Sequence, residues 1–280
     1  MRPSTRRLRA PLEIELTTPS PRHEAALIGI RLRRWASSCN LRKLFKDGSR
    51  ECCVRAASEH VKLTILYDDD EYDERLIAAH GFACLIEAGN QKVLFDTGGD
   101  PSVLFYNMGV LGVHPRSLSS VVISHNHWDH TGGLSALLAR NPALRVVMPG
   151  SASAEALPVG VDVVGPFEVN YKGTLIREQA LAILSSSGIV IVVGCSHPGV
   201  ERIVEEAVRK LQGKRVVAVI GGLHLLESSI ERIKATAESL RRMGVERVAA
   251  CHCTGRRSLD IISEVHGGVE RCGAGAVLSF

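Results

Sequence analysis

Ser124-His125-Asn126-His127-Trp128-Asp129-His130-Thr131-Gly132-Gly133 places four metal-capable side chains within six positions. Upstream, Leu118–Ser124 reads as a buried strand; downstream, Thr131–Arg140 reads as a helix. In extended backbone the side chains of residues i and i+2 share one side. His125 and His127 therefore face a common point beyond the strand end. Asp129 and His130 lie where the chain turns into the helix, and supply a second cluster beside the first. Neutral imidazole and carboxylate suit zinc, iron or manganese. Scattered surface or core histidines rarely fall into so dense a pattern.

Two half-sites need more ligands, and three further stretches offer them. Gly194-Cys195-Ser196-His197-Pro198-Gly199 puts His197 at a strand-to-helix junction. Gly221-Gly222-Leu223-His224 puts His224 just past the next strand, and Cys251-His252-Cys253-Thr254-Gly255 puts His252 past the one after that. Taken singly, each histidine is as readily a core or turn residue as a ligand. Three successive strand ends, each carrying one, argue for a shared site, because strand ends in layered α/β folds line one edge where ligands bind.

Around these motifs the chain is hairpin-rich first and then alternates strand with helix. Val61–Tyr67 reads as a strand, and residues 81–88 and 91–95 form a hairpin about Gly89-Asn90. Residues 101–111 read as a helix and 144–148 as a strand. Residues 149–178, rich in Gly, Pro and Val, read as short strands and loops. A second hairpin spans residues 180–193. Helices are expected over residues 198–211, 227–243 and 259–265, with strands at 215–220, 247–250 and 276–278. Two face-to-face sheets with helices outside would bury both halves, although periodicity alone does not select that architecture.

The 280 residues suffice for one large domain or two small ones, and 45% hydrophobic residues can bury a sizeable core. No apolar run has the length of a bilayer span. The net charge of +4 is uneven. Residues 1–60 hold thirteen Lys and Arg against six Asp and Glu, and the remainder twenty-one against twenty-four. Residues 1–60, with four prolines and an arginine-heavy run at Arg31–Arg34, read as a basic extension with little order. Residues 61–280 read as the catalytic domain. Its mildly acidic balance speaks against nucleic acid as a partner. Eight cysteines without a signal-peptide pattern suggest free thiols in a reducing cytoplasm.

His125-x-His127-x-Asp129-His130 resembles the signature of the metallo-β-lactamase superfamily. With Phe95-Asp96-Thr97-Gly98 and the three later motifs, the stretch from about Val61 to Phe280 resembles its dihydropteroate-synthase-like branch. That branch includes archaeal enzymes that join a dihydropterin to ribofuranosylaminobenzene phosphate on the way to methanopterin. The resemblance implies an αββα sandwich with two divalent metal ions at one edge, zinc foremost, with iron or manganese as alternatives. It implies that His125, His127 and His197 bind one ion, and Asp129, His130 and His252 the other. His224 stands outside that set, as a ligand, a supporting group or a substrate contact; it and Asp129 are the catalytic candidates. Asp96 is expected to support the ligands from behind, or else to be a simple Asp-Gly turn. Cys195 flanks a ligand and reads as a small buried residue packed beside the site. Trp128 is a candidate for stacking on a flat substrate.

A dinuclear site lowers the pKa of water and neutralises phosphate or carboxylate charge. Helix starts after Thr131, Pro198 and Thr254 would add amides that favour anions, and Thr254, Arg256 and Arg257 follow there. The expected partner is a small anionic substrate, with no membrane or nucleic acid, and homo-oligomers are compatible with this. Two chemistries fit: condensation with loss of pyrophosphate from a pterin methyl carbon, or hydrolysis of a phosphoester, thioester or lactone. A third reading is a metal-binding sensor without turnover.

Overall fold

The computed structural model describes residues 60–151 and 157–280. The basic segment expected over residues 1–60 lies, apart from exposed His60, outside the described residues. Among the described residues, eleven strands form two mixed sheets. The first has the order β11-β1-β2-β3-β4-β5, from Val277–Ser279 (β11), Val61–Tyr67 (β1), Ala83–Ala88 (β2), Gln91–Phe95 (β3), Ser120–Val122 (β4) and Arg145–Val147 (β5). The second has the order β10-β9-β8-β7-β6, from Arg247–Cys251 (β10), Val216–Gly222 (β9), Gly188–Val193 (β8), Thr174–Ser185 (β7) and Val161–Tyr171 (β6).

Strand period explains the layering. In β2, Cys84 and Ile86 point into the core between the sheets, while Ala83 and Leu85 point outward. In β8, Val190 and Val192 point inward, while Ile189, Ile191 and Val193 point outward. Both faces of these strands are buried, so they read as continuous apolar runs. Outside the first sheet, Leu104 and Met108 of α1 (Pro101–Val110) and Leu137 of α3 (Leu134–Arg140) complete one outer core. Outside the second, α4 (Val200–Lys210), α5 (Ile230–Arg242) and α6 (Arg256–His266) complete the other. The result is the expected helix–sheet–sheet–helix sandwich. No helix among the described residues is long and apolar enough to cross a membrane.

Two expectations change. The helix expected from Thr131 to Arg140 is divided into α2 (Trp128–Thr131) and α3, with Gly132-Gly133 between them. A Cβ on Gly132 would lie 2.0 Å from the Gly99 carbonyl oxygen, so this approach requires glycine. Residues 149–178 are not a series of short strands and loops: from Val161 onward they enter one long hairpin, β6–β7, whose register shifts between Val164 and Phe167. Its outer half is solvent-exposed and polar, and so lacks an apolar period to read.

Candidate metal centre

The site forms where β3, β4, β8, β9 and β10 end together. Four residues just past these ends have positive φ: Asp96 (61°), Ser196 (61°), His224 (53°) and His252 (50°). That conformation costs a non-glycine residue roughly 1–3 kcal/mol, and such strain concentrates at functional sites. Gly222 makes room for it, since a Cβ there would lie 2.4 Å from the Gly194 carbonyl oxygen and 2.6 Å from Cys253 Sγ.

His125, His127 and His197 bring one ligand atom each within 4.8 Å of one another. His125 Nε2 lies 2.9 Å from His127 Nδ1. The Ser124 hydroxyl lies 2.9 Å from His125 Nδ1 and donates to Asp96 Oδ2 at 2.7 Å. Burial, together with the neighbouring His130, His197 and His127, holds His125 well below the usual imidazole range. His127 is also depressed, first by burial and then by His197. Both are therefore neutral donors.

Asp129, His130, His252 and Cys195 form the adjoining group. Asp129 Oδ2 lies 3.4 Å from His130 Nε2, 3.3 Å from His252 Nε2 and 3.5 Å from His80 Nε2. Burial works to raise the Asp129 carboxyl, but His130 and His252 outweigh it and hold it far below the carboxylate range. Burial works to depress His130, and Asp96 and Asp129 outweigh it, raising His130 to about 9. The same contest, won by Asp129 and Asp69, raises His252 to about 10. Without a cation, these two rings carry the positive charge that the carboxylates require.

Supporting carboxylates sit behind the ligands. Asp96, fully buried, lies 2.7 Å from His130 Nδ1 and accepts from the Ser124 backbone N–H at 2.6 Å. Asp69 lies 2.7 Å from His252 Nδ1 and 2.9 Å from His80 Nδ1. Glu178 lies 2.8 Å from His197 Nδ1 and accepts from the backbone N–H groups of residues 195–197. Such contacts fix the tautomer and leave the other ring nitrogen free for a metal. Asp69, His80 and Glu178 had no assigned role in the sequence reading. The run Asp68-Asp69-Asp70 directly after β1, and a glutamate in an apolar strand, are signals by which Asp69 and Glu178 could have been found; His80 carries none.

Of these groups His80, His127, Asp129, Cys195, His197 and His252 line a cavity of about 500 Å³, with the others packed behind them. Trp128, 64% exposed, stands at its mouth. Tyr171, at the tip of β6–β7, packs its ring 4.7 Å from that of His197 and 5.2 Å from that of His224. Next to it, Lys172 is the one Lys or Arg among the described residues of the lining. His224 joins Cys195 and His197 in a further group of ligand atoms. Thr254 and Arg256 are not brought to the cavity. The Thr254 hydroxyl donates to the Cys251 carbonyl at 2.7 Å and accepts from Leu223 N–H at 3.0 Å, while Arg256 donates to exposed Asp70 at 2.8 Å.

A family profile described as the metallo-beta-lactamase superfamily matches residues 78–163, which carry the first motif. Tm1679, a metal-dependent hydrolase of the beta-lactamase superfamily, superposes with a TM-score of 0.64 at 28% identity, over 78% of this chain and 98% of that one. The chain has the metallo-β-lactamase fold. The chain is 26% identical over 286 residues to 7,8-dihydropterin-6-methyl-4-(beta-D-ribofuranosyl)-aminobenzene-5'-phosphate synthase of Methanocaldococcus jannaschii, covering 79% of this chain and 97% of that one. The metallo-beta-lactamase fold protein YhfI from Bacillus subtilis shares the fold, with a TM-score of 0.57 at 15% identity over 79% of this chain.

Proposed function

We propose that this chain is a dinuclear metal enzyme acting on a phosphorylated or pyrophosphorylated small molecule. The observation that carries this reading is the meeting of two donor triads beside one open cavity, which His127 and His197 of one and Asp129 and His252 of the other line. The donors suit divalent ions, zinc first, with iron or manganese also matched by imidazole and carboxylate. His252 Nε2 is buried with no well-formed hydrogen bond, facing only the Asp129 carboxylate at 3.3 Å, and His224 Nδ1 is buried without a hydrogen-bond partner. Buried ring nitrogens left this way fit a bound cation, which would take the place of the ring proton at His252. His125, His127 and His197 would hold one ion, and Asp129, His130 and His252 the other. When bound, such ions supply Lewis acidity toward a phosphate oxygen and ease the ionisation of water.

The protein's own groups do the rest. Lys172, exposed at the mouth, draws an anionic group toward the floor. Trp128 and Tyr171 offer ring faces to a flat heterocycle. Asp129 and His224 both line the cavity and are the side chains placed to steer a proton or orient the substrate. Condensation of a dihydropterin with ribofuranosylaminobenzene phosphate is the reading favoured by the similarity to the Methanocaldococcus enzyme along nearly its whole length. Hydrolysis of a phosphoester, thioester or lactone is the second reading, favoured by the similarity to a metal-dependent hydrolase. A sensor without turnover would leave the open cavity and Lys172 without a role.

The test offers the metal-replete protein a dihydropterin with pyrophosphate on its methyl carbon, together with ribofuranosylaminobenzene phosphate. A parallel panel holds phosphoesters, thioesters and lactones. Pyrophosphate release with a joined product is expected, and Lys172→Ala should raise KM several-fold with metal content unchanged. Hydrolysis without joining selects the second reading. No turnover of either kind refutes the catalytic one.

A further inference from the structure

One residue ties the two donor triads together. Cys195 Sγ shares a group with Asp129, His130 and His252, and another with His197 and His224, while His197 belongs to the triad of His125 and His127. We propose that Cys195 is itself a metal ligand, a thiolate that bridges the two ions, rather than a small residue packed beside them. This rests on the two-ion reading above.

The spacing supports it. Zinc takes nitrogen at about 2.0–2.1 Å and thiolate sulfur at about 2.3 Å, so two such ligands on one tetrahedral ion lie about 3.5 Å apart. Cys195 Sγ lies 3.2 Å from His130 Nε2. The carboxylate edges of the same group, 3.4 Å from His130 and 3.3 Å from His252, are similar. Three of the contacts among these four atoms thus have the length of an edge of one coordination shell, and all four atoms lie within 4.8 Å of one another.

The position of Sγ is also set by its backbone. Cys195 is 3% exposed. Its N–H is held by Glu178 Oε1 at 3.2 Å, and the adjacent Ser196 N–H by the same oxygen at 2.7 Å. The Ser196 hydroxyl donates to the Gly222 carbonyl at 2.7 Å, fastening this turn to β9.

Charge gives an independent reason. The triad of His125, His127 and His197 is all imidazole, and the other triad contains one carboxylate, Asp129. The buried carboxylates directly behind the ligands, Asp96 and Glu178, are turned toward imidazole Nδ1 atoms and backbone amides. Two dications with one anionic ligand leave an uncompensated buried charge. A thiolate between them gives each ion an anionic donor. Its proton leaves to solvent on binding, and two sulfur lone pairs form the two bonds. A soft bridge of this kind favours zinc over magnesium or calcium. Cys253 is the internal control: it lines the same cavity but belongs to none of the donor groups among the described residues.

The experiment titrates cobalt(II) into the metal-free full-length protein and follows the sulfur-to-cobalt charge-transfer band in the near ultraviolet. Stoichiometry is read separately by elemental analysis. Two ions per chain are expected, with the band growing until both are bound. Cys253→Ser should keep the band. Cys195→Ser should lose it and bind the second ion at least about tenfold more weakly. Cys195→Asp, whose carboxylate can also bridge, should bind two ions without the band, which separates a lost ligand from a lost fold. A band that survives Cys195→Ser, or two bound ions with no band, refutes the thiolate. A band complete at one ion, with a second bound silently, makes Cys195 a ligand of one ion and refutes the bridge. Fewer than two ions on the wild type refutes the two-ion reading itself, whatever the band shows.

Discussion

Glu178→Gln removes one charge and no volume, yet it should disable half the centre. The wild-type carboxylate receives four donors. Oε1 accepts from the N–H of Cys195 at 3.2 Å and of Ser196 at 2.7 Å. Oε2 accepts from the N–H of His197 at 2.8 Å and faces His197 Nδ1 at 2.8 Å. A glutamine has one oxygen, so either orientation turns its NH₂ group toward two of these donors. The side chains of Glu178 and His197 are each 1% exposed, so water cannot substitute. Hydrogen bonds to a charged group contribute about 1.5–3 kcal/mol each, so losing two costs about 3–6 kcal/mol. His197 also loses the contact that fixes its ring, and such losses lower metal affinity by about 10–100-fold. Urea unfolding of the metal-free variant measures the first effect. Competition with a chromophoric chelator, in the folded protein, measures the second. An unchanged urea midpoint together with undiminished affinity would mean that Glu178 does not organise this turn.

Other consequences follow from the same geometry. Elemental analysis of the wild type should find about two divalent ions per chain, falling to about one in His127→Ala but staying at two in His224→Ala, which leaves both triads intact; fewer than two in metal-replete wild type would sink the dinuclear reading. His130 and His252 are held up to about 9 and 10, so each must release a proton as a cation binds near neutrality. Calorimetry in buffers of different ionisation enthalpy should detect that release, and its absence at pH 7.5 contradicts the charged rings. In the metal-free protein their pairing is fully stabilising below an unfolded pKa near 6.5 and is lost as pH rises through about 9–10, so apo stability should fall across that alkaline window. Asp68 behaves in the opposite sense to a usual carboxylate: burial, only partly offset by the Asp70 N–H, raises it to about 7. Its ionisation therefore erodes stability as pH rises from about 4 to 7, and the cost persists above that, up to about 4 kcal/mol. Asp68→Asn should then melt higher than wild type at pH 8 and no higher at pH 4, and equal melting at both would remove Asp68 from the account.

Local order along the chain was enough for the first motif and for the layered class. Alternation in extended backbone aims His125 and His127 at one point whatever the rest of the chain does, and the strand ends bearing His197, His224 and His252 could be read from apolar runs and glycines. What surrounds those histidines was decided only in three dimensions. Asp69 meets His252 across 183 positions, and no spacing rule reaches that far; parallel pairing of β10 with β9, and stacking of one sheet on the other, bring them together. Tyr171 and Lys172 reach the cavity because β6 and β7 extend well past the buried core, over residues whose polar, exposed pattern resembles loop. Thr254 and Arg256 follow a ligand in sequence, but the turn after β10 has a positive φ at His252 and directs one inward to the backbone and the other to Asp70. Cys195 shows the division most clearly. Its sequence context is that of a small core residue, and only the meeting of two sheet edges sets its sulfur between two sets of metal donors.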